Sequence, residues 1–82
     1  MHKVEKYSKI FATSLNVSSD KINEKLKYNE IDEWDSIGHM TLIAGLEEEY
    51  KITFETDDII EFSSFKKGIE ILKKYKIDIS LK

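Results

Sequence analysis

Val4, Tyr7, Phe11 and Leu15 recur at spacings of three and four residues, with Ile10 on the same face and Lys3, Glu5, Lys6 and Lys9 elsewhere. That period predicts an amphipathic first helix. Asn16 tolerates a left-handed backbone, and Ser18-Ser19-Asp20 offers side-chain bonds to nearby main chain, so the helix is expected to end between Ser14 and Asn16. A long connection then runs to Trp34. Val17, Ile22, Leu26, Tyr28 and Ile31 are spaced to pin it across the fold, with room for one short helical turn after Asp20. Trp34 is read as an aromatic that closes one end of the core.

The pattern turns helical again at Ser36. Leu42, Ile43, Leu46 and Tyr50 form a stripe to be buried, whereas Ile37, Met40, Ala44, Glu47 and Glu48 border the surface beside Ser36. Gly38 and Gly45 each lower intrinsic helix stability by roughly 1 kcal/mol relative to Ala. Lys51 to Glu55 alternates but has no partner strand in view, and reads as an extended loop with Ile52 and Phe54 pointing inward. Thr56 is then expected to cap a short helix with Asp57 and Asp58 in its first turn and Ile59 and Phe62 on its apolar side. Ser63 or Ser64 caps a last helix, with Phe65, Ile69 and Leu72 facing in and Lys73-Lys74 near its C-terminus. For Ile77 to Lys82, fraying and loose packing are both open. The expected fold is all-α: a four-helix bundle of three longer helices and one short, with a long first loop, forming one domain over residues 1–82.

A chain of 82 residues buries a modest core and hardly a deep cleft, so no enzyme is expected. Cysteine is absent, which excludes a disulfide framework, a Cys-based zinc site and a thiol nucleophile in the polypeptide. No apolar run approaches a membrane span and no hydrophobic signal segment precedes the first charges, so a cytoplasmic protein with no membrane partner is expected.

The net charge of −3 hides a segregation. Met1 to Tyr28 holds six Lys against three acids, Asn29 to Glu61 eleven acids against Lys51 alone, and Phe62 to Lys82 six Lys against two acids. Ser36 lies in the anionic middle. With no Arg and the wrong sign around its centre, the chain is not expected to bind nucleic acid.

Asp35 is a good capping type, so its carboxylate is expected to accept orphan amides and leave Ser36 exposed in the first turn of a helix whose dipole favours a phosphate-bearing group. Self-activation is not expected. His2 sits near a terminus, and His39, one turn after Ser36, reads as a partly buried helix residue beside the core.

Asp35-Ser36-Ile37, the apolar residues after it and Glu47-Glu48-Glu49-Tyr50 resemble the signature of acyl carrier proteins, and the resemblance extends from Tyr7 to about Leu72. It implies that a phosphopantetheinyl transferase moves 4′-phosphopantetheine from coenzyme A to the Ser36 hydroxyl, using Mg2+ that the motif Asp, here Asp35, helps to hold. No resident metal is implied. The arm's thiol would hold acyl groups as thioesters for acyl-loading, acyl-transfer or condensing enzymes of fatty-acid, polyketide or specialised acyl-transfer pathways. Those enzymes would present basic surfaces to Ile37, Met40, Ala44, Glu47 and Glu48, and the carrier would act as a monomer. The best-known fatty-acid members bear acids where this chain has Gly38 and Thr41. Two alternatives stay open: an aminoacyl or peptidyl carrier of nonribosomal-peptide type, and a cofactor-free helical interaction module.

Overall fold

Each apolar stripe becomes a helix in the computed structural model, which describes residues 2–79. The first, α1, spans His2–Leu15 and buries Tyr7, Phe11 and Leu15, with Val4 and Ile10 packed beside them. It stops as expected: Asn16 takes the left-handed conformation at φ 59°, and Val17 N–H donates to the Ala12 carbonyl at 3.0 Å.

The short helical turn comes slightly earlier than expected. It is a 3-10 turn over Ser19–Lys21, because Ser18 caps it and accepts from Asp20 N–H. Along the connection Ile22 and Leu26 are buried and Val17 and Ile31 half-buried, so four of the five anchors hold the loop. Tyr28 does not join them. It is 38% exposed, and main-chain bonds tie the loop here to the start of the last helix: Tyr28 N–H donates to the Ser63 carbonyl, and the Leu26 carbonyl accepts from Phe65 N–H, both at 2.9 Å.

The second helix, α2, spans Ser36–Tyr50, and Lys51 in the left-handed region closes it. It buries Leu42, Ile43 and Leu46, leaving Tyr50 only half-buried. Phe54 points in and Ile52 packs partly, as the alternation required. Helix α3 is Thr56–Glu61; Glu55, not Thr56, occupies its cap position, and no side chain caps it. Helix α4 spans Phe65–Lys74 and is capped by Ser64, whose Oγ accepts from Lys67 N–H at 2.9 Å. After it, Ile79 is buried and Ile77 half-buried, so the chain packs through Ile79; Ser80 to Lys82 lie outside the described residues.

The result is an all-α domain of four helices, three long and one short, with a long loop between α1 and α2. Its centre is aromatic. Tyr7, Phe11, Trp34, Phe62 and Phe65 are almost wholly buried, with ring centroids 4.7–6.4 Å apart in edge and tilted contacts. Such pairs add about 0.5–1.5 kcal/mol each beyond area burial. Gly68 on α4 is required by this cluster, since a Cβ there would run into the Tyr7 hydroxyl and the Phe62 ring.

A carboxylate is also buried against the core. Asp58, expected only as a first-turn acid, is 3% exposed; its two oxygens accept from Lys74 Nζ at 2.7 Å and Tyr75 Oη at 2.6 Å. This fastens α3 to the end of α4. The hydrogen bonds from Lys74 and then Tyr75 hold the Asp58 carboxyl below the usual carboxylate range, against the opposing pull of burial.

Candidate functional site

Asp35 enters α2 with extended backbone, and its Oδ1 accepts from Gly38 N–H at 2.8 Å, the capping expected of it. Ser36 is the first helical residue and is exposed. Its Oγ lies 3.3 Å from the Tyr28 hydroxyl. Tyr28, expected only as one of the residues pinning the loop, has its ring edge-on to Trp34 at 6.0 Å and to His39 at 5.4 Å, and its hydroxyl reaches the serine.

Trp34 is fully buried, as expected. Its indole N–H donates to His39 Nδ1 at 2.9 Å. An indole has no acceptor, so the other imidazole nitrogen, Nε2, carries the proton and donates to the Ile59 carbonyl at 2.9 Å. Both nitrogens are therefore spent on holding the loop and α3 against α2, and neither is directed at Ser36.

The surface flanking Ser36 divides. Ile37 is 79% and Met40 54% exposed, and Ala44 and Glu48 are exposed on the same side of α2. Glu47 does not belong with them: it is half-buried, and its Oε2 accepts from Phe54 N–H at 2.8 Å, holding the loop after α2. On α3, Ile60 is 73% exposed, an apolar side chain that the sequence reading passed over because the short helix has too few turns to define a face.

Gly38 stands where a side chain has no room. A Cβ at this position would meet the Glu33 carbonyl oxygen and approach Leu15 Cδ2 at 3.2 Å, because the chain from Glu33 to Asp35 crosses directly over the first turn of α2. A side chain at 38 would thus require the loop to shift.

Clefts indent the surface of the described residues. One, of about 360 Å³, runs between α1 and α2 past Lys6, Ile10, Ser14, Gly45 and Glu48. Another, of about 440 Å³, is bordered by Glu24, Lys27, Glu30, Ser64 and Lys66. Ser36 lines neither. Among the described residues no three His, Asp or Glu side chains converge as a metal site, and no helix is long and apolar enough to cross a membrane.

No protein-family model matches the chain, and no curated protein matches it at a significant level.

Proposed function

We propose that this chain is an acyl carrier protein whose Ser36 accepts 4′-phosphopantetheine from coenzyme A through a phosphopantetheinyl transferase. The observation that carries the reading is the placement of Ser36: an exposed hydroxyl on the first residue of a helix, with Asp35 capping on one side and exposed Ile37 on the other. The motif Asp35-Ser36-Ile37 supplies the chemistry implied by the family resemblance, and the aromatic core supplies a rigid body to carry it.

Each group has a part that its position fits. The Ser36 hydroxyl receives the phosphoryl group at the positive end of the α2 dipole, where negative charge is favoured. Asp35, whose Oδ1 caps Gly38, would be the residue that helps to hold the Mg2+ of the loading reaction, as the family resemblance implies. His39, engaged on both nitrogens, holds α2 in place and takes no proton from Ser36. When attached, the arm supplies a thiol that holds acyl groups as thioesters. Ile37, Met40, Ala44 and Glu48 offer partner enzymes an apolar patch edged by negative charge, suited to a basic surface with a small apolar notch.

Intact mass tests this. Wild type and Ser36→Ala are each incubated with coenzyme A, Mg2+ and a transferase of broad specificity. Wild type should gain one pantetheine phosphate group and the alanine variant none. Modification of the variant, or none of the wild type with several transferases, would overturn the carrier reading.

A further inference from the structure

We infer that Tyr28 is the positioning residue of the carrier serine, its phenol hydroxyl holding the phosphodiester that forms on Ser36. The inference rests on the carrier reading and adds a residue to it. The Tyr28 hydroxyl lies 3.3 Å from Ser36 Oγ. Its aim is built in at two places: Tyr28 N–H is tied to the Ser63 carbonyl as one of the two bonds of the antiparallel bridge between Lys27 and Ser64, and the ring stands edge-on against both Trp34 and His39. Trp34 and His39 are themselves locked to each other. A surface tyrosine held so firmly presents its hydroxyl at one place.

Loading changes what the serine can do for that hydroxyl. Ser36 Oγ forms a bond to a phosphorus of the coenzyme A diphosphate, the bond from that phosphorus to the adenosine bisphosphate leaving group breaks, and the hydroxyl proton passes to a base of the transferase. Before the step, either hydroxyl can donate to the other. Afterwards Ser36 has no O–H, and the phosphodiester at that point offers only acceptor oxygens. The Tyr28 O–H then donates to the ester or a charged phosphoryl oxygen beside it, a charge-assisted bond that strengthens as the O–P bond forms. An interaction gained along the reaction raises kcat more than it lowers KM.

Tyr28→Phe isolates the hydroxyl, since the ring contacts remain. Wild type and variant are loaded from coenzyme A, and the 31P resonance of the phosphodiester and the 15N relaxation of Ser36 and Ile37 are compared. The variant should show a displaced 31P resonance, a more mobile first turn and a kcat for loading lower by roughly three- to ten-fold at similar KM. Identical 31P position, relaxation and kcat would make Tyr28 a packing residue and overturn the inference while the carrier reading stands. If wild type takes up no group, the carrier reading and this inference fall together. Should the variant not fold, the 13Cζ shift of Tyr28 in wild type reads the same contact: it should move on loading and with Ser36→Ala, and an unmoved shift overturns the inference.

Discussion

The indole N–H of Trp34 and the Nδ1 of His39 meet at 2.9 Å, five residues apart in sequence but across the junction between the long loop and α2. The imidazole passes the connection on to α3 through the Ile59 carbonyl. One histidine therefore joins three segments. His39→Ala leaves a buried indole N–H without an acceptor and should cost about 1–3 kcal/mol in urea denaturation. Trp34→Phe and the double variant complete a cycle, in which a coupling of about 0.5 kcal/mol or more is expected. Additive losses would mean that the bond contributes nothing of its own.

Asp58 gives the fold an acid-sensitive fastening. Lys74 and Tyr75 lower its folded pKa, so its contribution is complete above the unfolded value near ~3.9 and is lost as pH falls through that value to the folded one. Asp58→Asn should be less stable than wild type by about 1–3 kcal/mol at pH 7, with the gap closing below about pH 4. Urea midpoints measured across that range check both the size and the sign.

Gly38→Ala and Gly45→Ala should differ, although helix propensity favours both by about 1 kcal/mol. At Gly38 the added carbon meets the fixed Glu33 carbonyl, so a net loss of about 1–3 kcal/mol is expected. At Gly45 it meets Ser14 Oγ at 2.6 Å, a hydroxyl that can rotate away, and the change should be neutral or stabilising. Thermal melts of the two variants decide.

Partner docking should depend on Ile37 and Glu48 in different ways. Burying Ile37 in a partner is worth roughly 1.5–3 kcal/mol and is insensitive to salt, while Glu48 at the rim contributes about 1 kcal/mol or less and is screened. Transferase kinetics at low and high salt should show Glu48→Lys losing its effect as salt rises and Ile37→Ala keeping its own. Glu47→Lys should lower stability as well, since its carboxylate holds Phe54 N–H, and so cannot report on docking alone.

Cargo should be sheltered only when short. The rings of Tyr7, Phe11, Trp34, Phe62 and Phe65 already fill the middle of the bundle, so a long acyl tail could enter only by displacing them. A series of acyl groups on loaded protein should raise the thermal midpoint for short chains and level off for long ones, because only a group bound to the folded state stabilises it. A midpoint that climbs steadily with chain length would count against this.

The helices, their order and much of their capping were legible in the residues. Period, a left-handed Asn16, Asp35 before α2 and Ser64 before α4 are local features, each settled by chain within about one helical turn. The burial of Trp34 and the exposure of Ser36 and Ile37 followed from the same local logic. Tertiary structure decided where the polar atoms ended up. Tyr28 brought its hydroxyl to Ser36, eight residues away, and Asp58 was drawn inward by Lys74 and Tyr75, sixteen and seventeen residues on. Glu47 left the surface patch for Phe54 N–H, and His39 found the Ile59 carbonyl twenty residues along. Apolar periodicity reports which face of a helix turns inward, because burial is non-directional and nearly proportional to area. A hydrogen bond needs a particular partner at a particular place, and only the folded path of the chain supplies one.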